Sequence, residues 1–413
     1  MTQKFGNSSR PLSLWPSSLI VSGHGATWTA DFDWPVLVRI DPATREGRLF
    51  ASYEALAVEL DPYGRPRRSG PTDLEAGLDA LWMAVRKGRR IIRVDPSDGG
   101  MRECELPFSP TEIAAGAEAL FAIGQPGNGA VARISATSVV RTVYVGKSLR
   151  LIVSAEDVVW TVNDAESTIL ALDADSLLPV RSFHHLGVPE AIFATGRKAW
   201  YLCSREVECP TEKGSSERAI VVGPGGLMME LLCLDADTGE VEKIADLTGP
   251  IPVAAFDREG LWIGSSRDDM DFDTDPVGII THYGFDGHRI GEIRLPGQVD
   301  GIAVDDSTLW VSGFRRSRQM SLITALGRDG SVLGEADLSS IDLSRWTKPV
   351  DPAPLPPTLV EYARSVRDVV EESLTAECAD SEPFRTPVPI ESVHRFRRFR
   401  TPAEEKLVAA GAR

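Results

Sequence analysis

The sequence predicts an all-β protein, a seven-bladed β-propeller followed by a C-terminal helix and tail. Three observations favour this fold class: a two-strand unit recurs seven times, its period is near forty residues, and turn-forming residues are abundant. The chain has 413 residues, of which 36 are Gly and 28 are Pro. Closed all-β folds commonly form one domain at such lengths.

The recurring unit is a small apolar strand, a turn and a second strand that carries an aromatic residue. We call these aromatic residues the markers, and they are Trp28, Trp82, Phe121, Trp160, Trp200, Trp262 and Trp310. Their separations are 54, 39, 39, 40, 62 and 48 residues. The three nearly equal intervals define the period, and the longer ones locate insertions. We expect the markers to pack between neighbouring sheets.

A third and a fourth strand complete each predicted blade. Segments such as VLVRIDPATREG and ELLCLDADTGE alternate apolar and polar residues and end in Asp-containing turns, which is typical of half-buried strands. A single blade buries too little apolar surface, whereas blades stacked in a ring cover both faces of each sheet. Insertions are predicted between the second and third strands of blades five and six, at 206–227 and 267–277.

The predicted domain organisation has three parts. The propeller spans 13–342, a Pro-rich linker spans 343–357, and a C-terminal helix and basic tail at 358–413 pack on or near the propeller. The helix is indicated by helical spacing of apolar residues. The tail contains HRFRRFR, which we interpret either as a docking strip for a protein or RNA or as a strap on the acidic body.

Charge and cysteine content limit the partners and the compartment. The formal net charge is −16, so the body is expected to bind neither nucleic acid nor an anionic membrane. The five cysteines are scattered and the N-terminal segment has no secretory pattern, which predicts a cytoplasmic protein with free thiols. No phosphate-binding or dinucleotide fingerprint is present, so no nucleotide cofactor is expected.

Positions nine or ten residues before each marker are expected near one mouth of the central channel. They are Ser18, Asp73, Glu112, Arg150, Glu190, Val253 and Asp300. Converging carboxylates repel one another unless a cation or a proton intervenes. We therefore predict a Mg²⁺ or Ca²⁺ site formed by Glu112, Glu190 and Asp300, with Asp73, Glu112, Arg150 and Asp300 binding substrate. A pocket for a cationic substrate and a solvated rim are the alternatives.

Two adjacent histidines complete the predicted catalytic set. His184 and His185 precede Glu190 in a connection between blades, and imidazole titrates near neutral pH. One of them is predicted to act as a general base beside Glu190. The alternative is an exposed pair in a surface loop.

The repeated units P-x-x-I-A-x-G/D…L-W-x and R-I/V-D-P resemble the streptogramin (virginiamycin B) lyase type of seven-bladed propeller and the related YVTN-like propellers. The resemblance covers roughly Ser17 to Leu338. It implies a family that uses magnesium and histidine to open a cyclic depsipeptide ester by elimination. The His and Glu positions of that family hold other residues here, so its catalytic residues are not transferred to this chain.

Two functions of different classes follow from the sequence. The first is a metal-assisted lyase, hydrolase or cyclase that acts on a small organic or peptide substrate at the channel mouth. The second is a noncatalytic propeller that binds a protein partner through the loops of blades five and six and the basic tail.

Overall fold

The computed structural model forms the predicted seven-bladed β-propeller. It describes residues 19–31, 35–53, 70–86, 88–124, 129–136, 138–184, 187–204, 227–249, 253–267, 275–305, 307–315, 320–338 and 341. The chain divides into two compact units, residues 1–342 and 343–413. The predicted linker, helix and tail belong to the second unit and lie outside the described residues.

Each blade is a sheet of four consecutive strands. Blades one to four comprise β1 (Ile20–Gly23), β2 (Ala26–Ala30), β3 (Val36–Ile40) and β4 (Gly47–Ser52); β5 (Asp73–Gly77), β6 (Ala80–Val85), β7 (Arg90–Val94) and β8 (Met101–Glu105); β9 (Pro110–Ala115), β10 (Leu120–Gly124), β11 (Ala130–Ile134) and β12 (Val139–Tyr144); β13 (Leu149–Ala155), β14 (Val158–Asn163), β15 (Thr168–Asp173) and β16 (Pro179–His184).

Blades five to seven have the same four-strand plan. They comprise β17 (Val188–Thr195), β18 (Lys198–Ser204), β19 (Leu227–Asp235) and β20 (Val241–Gly249); β21 (Val253–Phe256), β22 (Gly260–Arg267), β23 (Val277–Gly284) and β24 (Arg289–Pro296); β25 (Gln298–Val304), β26 (Thr308–Arg315), β27 (Met320–Gly327) and β28 (Val332–Glu335). A short 3₁₀ helix at Asp164–Glu166 is the one helical element among the described residues.

Every sheet has the strand order of the sequence, and neighbouring strands are antiparallel. Each marker aromatic lies in the second strand of its blade and is at most 8% exposed, which confirms the predicted core role. The predicted insertions are also confirmed in position, because β18 ends at Ser204 and β19 begins at Leu227, while β22 ends at Arg267 and β23 begins at Val277.

Asp residues organise the turns that follow several third strands. Asp41 Oδ1 accepts hydrogen bonds from the backbone N–H groups of Ala43 and Thr44, both at 2.9 Å. Asp235 accepts equivalent bonds in blade five. These bonds stabilise the carboxylate and lower the pKa of both aspartates. The repeated Asp in the sequence is therefore a turn residue rather than a ligand.

The ring is held together by apolar packing between neighbouring blades. Seven buried clusters lie in the described part of the chain, one at each interface between adjacent blades. The first strand of every blade contacts the first strands of both neighbours, including β25 with β1. These first strands therefore form the inner wall of the ring, around a central channel. Within the described residues no helix is long and apolar enough to cross a membrane.

Candidate active site

The central channel is lined by the seven first strands, which place equivalent residues in rows. One row lies directly opposite the markers in the strand register: Val21, Glu75, Ala114, Val153, Phe193, Ala255 and Ala303. Glu75 is the one ionisable residue in this row. Glu75 is not among the site residues predicted from the sequence, although its position opposite Trp82 could have been read from the repeat.

Glu75 lies at the inner edge of the interface between blades two and three. It is partly buried and accepts a hydrogen bond from the backbone N–H of Ala115 in blade three. Burial, together with repulsion from Asp73, raises the pKa of the Glu75 carboxyl to about 8, and the bond from Ala115 only partly opposes this. Glu75 is therefore a protonated acid at neutral pH.

Asp73, a predicted substrate-binding residue, lies two residues before Glu75 on the same face of β5. Its Oδ2 accepts a hydrogen bond from the backbone N–H of Ile113 at 2.9 Å, and its Oδ1 accepts one from Leu74 at 3.0 Å. Such bonds favour the ionised form of a carboxyl group. The two side chains thus contact alternate backbone N–H groups on the inner edge of blade three.

The other predicted carboxylates occupy two different register positions. Glu112 pairs with Ile123, two residues beyond its marker, as Asp73 pairs with Ala84. Glu190 and Asp300 instead lie at the register shifts of β17 and β25. Each of these bulges inserts one extra residue into the inner strand, which explains why the count back to the marker varies between nine and ten.

Asp300 is the most strongly perturbed of this group. Burial raises the pKa of its carboxyl to about 6, and a hydrogen bond donated by Gln298 Nε2 to Oδ1 at 2.8 Å partly opposes the shift. Its place in β25 of blade seven puts it on the channel wall. Asp300 therefore has the perturbed titration common among functional carboxyl groups.

The predicted metal site is not assembled by the described side chains. Glu112, Glu190 and Asp300 belong to blades three, five and seven, and no group of three His, Cys, Asp or Glu residues in the described part of the chain is placed to hold a metal ion. These three residues do not fit a shared Mg²⁺ or Ca²⁺ ligand set in this structure. Metal dependence itself stays a prediction.

Arg150 and Glu190 are brought to one location, around Tyr201 at the interface of blades four and five. Arg150 pairs with Asp164 at 3.8 Å. Tyr201 is fully buried, and burial raises the pKa of its hydroxyl, with Cys203, Asp164 and Glu190 acting in the same direction and Arg150 against them. Tyr201 was missed by sequence analysis, although it is the one Tyr that directly follows a marker.

The structure separates His184 from the channel wall. His184 is the last residue of β16, the outermost strand of blade four, and its side chain is exposed. Three inter-strand spacings of about 4.8 Å place the outermost strand roughly 14 Å from the inner strand of that blade. Glu190 lies on the inner strand of blade five, so the prediction that His184 acts beside it gains no support from this arrangement. His185 lies outside the described residues.

Comparison with known proteins shows the fold. No family model matches the sequence, and no curated protein matches it. Hydrazine synthase of Kuenenia stuttgartiensis aligns with a TM-score of 0.54 and 11% identity, over 80% of this chain and 100% of that one. The β-propeller domain of Cps50 (Swd1) from Myceliophteria thermophila gives 0.54 and 13%, over 77% and 99%.

A streptogramin B lyase structure aligns with a TM-score of 0.50 and 14% identity, over 73% of this chain and 91% of that one. The shared feature is a seven-bladed β-propeller. These neighbours include an enzyme, the lyase, and a β-propeller domain that is not named as an enzyme. At such identities the likeness extends to the fold alone.

Proposed function

We propose that this propeller is an enzyme of the lyase or hydrolase class that acts on a small organic or peptide substrate in its central channel. The observation that supports it is the pair Asp73 and Glu75 on the channel wall. Two neighbouring carboxyl groups in unlike environments provide one proton donor and one anion at neutral pH. This pair takes the place of the predicted catalytic histidines.

The proposed chemistry is the breaking of an ester bond, a reaction that a carboxylic acid can assist by protonating the leaving oxygen. Glu75 donates its proton to the oxygen that leaves. The proton is recovered from the attacking water in hydrolysis. In elimination it is recovered from the carbon adjacent to the one that bears the leaving oxygen, as the C=C bond forms and the C–O bond breaks. Asp73, held by two backbone N–H groups, has the role of the anion that stabilises positive charge on the substrate. No step of this scheme passes through a metal ion.

The test uses release of carboxylic acid, which accompanies both hydrolysis and elimination of an ester. A panel of neutral aryl esters and lactones is followed by pH-stat. Glu75→Gln is expected to lower kcat/KM about 100-fold or more, because the carboxamide cannot donate a carboxylic proton. The wild-type rate is expected to fall as pH rises through about 8, the pKa of Glu75.

The matched control is Glu118→Gln, which removes an exposed carboxyl in the turn between β9 and β10. It is expected to retain wild-type rates. Equal loss in both variants, or undiminished turnover in Glu75→Gln, would contradict the assignment. Activity that disappears with EDTA and returns with Mg²⁺ or Ca²⁺ would restore the metal-assisted scheme.

A noncatalytic interaction propeller is the second candidate. It is favoured by exposed apolar side chains on outermost strands, such as Val140 and Tyr144 of β12, which are 54% and 64% exposed. Exposed strand edges with few charges can bind a partner by strand addition. An inactive wild-type protein whose partner binding is weakened by Tyr144→Ser would favour this function.

A further inference from the structure

An aromatic pair lies in the channel wall at the interface of blades five and six. Phe193 of β17 and Phe256 of β21 are stacked, with ring centroids 5.9 Å apart and an interplanar angle of 9°. Both side chains are partly buried. Phe256 also contacts the marker Trp200 and Phe285, at 6.4 and 5.2 Å between centroids. The interface of the two blades therefore fixes the position of the pair.

This aromatic pair and the carboxyl pair lie on opposite sides of the ring. Phe193 and Glu75 occupy the same row, each opposite its marker. Glu75 lies between blades two and three, and Phe193 lies between blades five and six. Three blade steps in a ring of seven correspond to about 150° around the axis. The channel thus has an acidic wall and an aromatic wall at the same depth.

We propose that the channel takes a small organic monocation that carries a flat apolar ring, with the ring against Phe193 and Phe256 and the ammonium group toward Asp73 and Glu75. This inference rests on the proposed function, because it names the substrate class of the same site. Aromatic faces and carboxylates are the groups that proteins combine to recognise ammonium ligands.

The charge of the acidic wall matches a single positive charge. With Asp73 as the anion and Glu75 as the acid, the roles proposed above, the pair carries one negative charge. Asp73 is the charged group that acts on the Glu75 carboxyl. Arg93 lies in the same cross-strand row as Glu75 and Trp82, on the far side of Trp82 from Glu75, with its guanidinium over the Trp82 ring. Arg150 is the cation on an inner strand that lies nearest in sequence to this carboxyl pair. It is paired with Asp164. The proposed negative charge on Asp73 disfavours an anion on this wall.

The test compares three probes of similar shape by calorimetry at pH 6.5: benzylammonium, benzyl alcohol and benzoate. Wild-type protein is expected to bind benzylammonium at least tenfold more tightly than benzyl alcohol, and benzoate more weakly than either. Asp73→Asn should reduce the preference for the cation to less than about threefold. Phe193→Leu should weaken benzylammonium and benzyl alcohol by similar factors, because both place a ring on the same wall.

Asp246→Asn is the matched control, because it removes one negative charge from the outermost strand of blade five. It should leave all three affinities within twofold of wild type. Thermal melting of each variant checks folding, and Phe193→Leu keeps the proposal testable if Asp73→Asn does not fold. Failure of benzylammonium to bind, or a cation preference that survives Asp73→Asn, would overturn it. None of the probes is an ester, so this result is independent of the turnover assay.

Discussion

At the scale of single residues, burial against a neighbouring blade changes what a side chain can do. His282 shows this outside the channel. It is 5% exposed and stacks on the marker Trp262, with centroids 3.9 Å apart. Burial lowers the pKa of the imidazole, Asp257 and Glu259 oppose the shift, and Arg328 adds to it. His282 is therefore a neutral core residue.

This lowered pKa predicts acid sensitivity. The unfolded chain binds a proton at His282 more readily than the folded chain, so stability is complete above about pH 6.5 and decreases as pH falls below it. In urea titrations between pH 7 and pH 5, His282→Phe is expected to lose less stability than wild type. The difference in slope is at most about 1.4 kcal/mol per pH unit, the value for one proton. Parallel curves of stability against pH for wild type and His282→Phe would contradict the prediction.

At the scale of elements, bulges in the inner strands depend on residues in the second strands. The shift at Asp300 brings Gln298 and Val299 of β25 close to β26. A Cβ atom added at Gly313 would lie 1.8 Å from the backbone oxygen of Gln298, which cannot move without breaking the inner strand. Glycine at this position therefore allows the bulge that holds Asp300 on the wall.

Gly313→Ala is expected to lower the free energy of unfolding by about 1–3 kcal/mol, because the added methyl group forces a backbone shift. Gly291→Ala in β24 is the matched control, since an added Cβ there has open space around it. It is expected to change stability by less than about 0.5 kcal/mol. Equal midpoints in denaturant for the two variants would show that the bulge tolerates a side chain.

At the scale of the whole molecule, the ring closes by packing between its first and last blades. Blade one uses strands from residues 20–52 and blade seven uses strands from residues 298–335, so the described sheets share no strand across the seam. The seam is filled by a buried cluster that joins Ile20 and Ile40 to Trp310 and Ile323. Among the residues that the structure describes, a bridge between Glu46 and Asp337 adds backbone pairing.

Closure by packing predicts a defined response to a cavity at the seam. Ile323→Ala should cost about 2–5 kcal/mol and accelerate amide hydrogen exchange in both blade one and blade seven. Ile280→Ala, an equally buried third-strand substitution in blade six, should accelerate exchange in blades six and seven while blade one stays protected. Protection of blade one in both variants would show that the seam does not couple the two ends of the chain.

The seven-bladed architecture could be predicted from local sequence patterns. The marker spacing, the alternation of third strands and the Asp-containing turns are local patterns, and each depends on residues a few positions apart. They therefore predicted the seven blades, the buried markers and the sites of the two large insertions. They also placed Asp73, Glu112, Arg150, Glu190 and Asp300 on inner strands.

Which of those residues lie together could be known only from the packing of the blades. Glu75 becomes an acid because the next blade buries its carboxyl group and Asp73 repels its charge, and Phe193 meets Phe256 only when blades five and six stack. His184 lies on an outer strand, because radial position is set by strand order rather than by distance along the chain. The described side chains of Glu112, Glu190 and Asp300 form no shared group of metal ligands. Titration and recognition in a propeller depend on contacts between blades, which lie about forty residues apart in sequence.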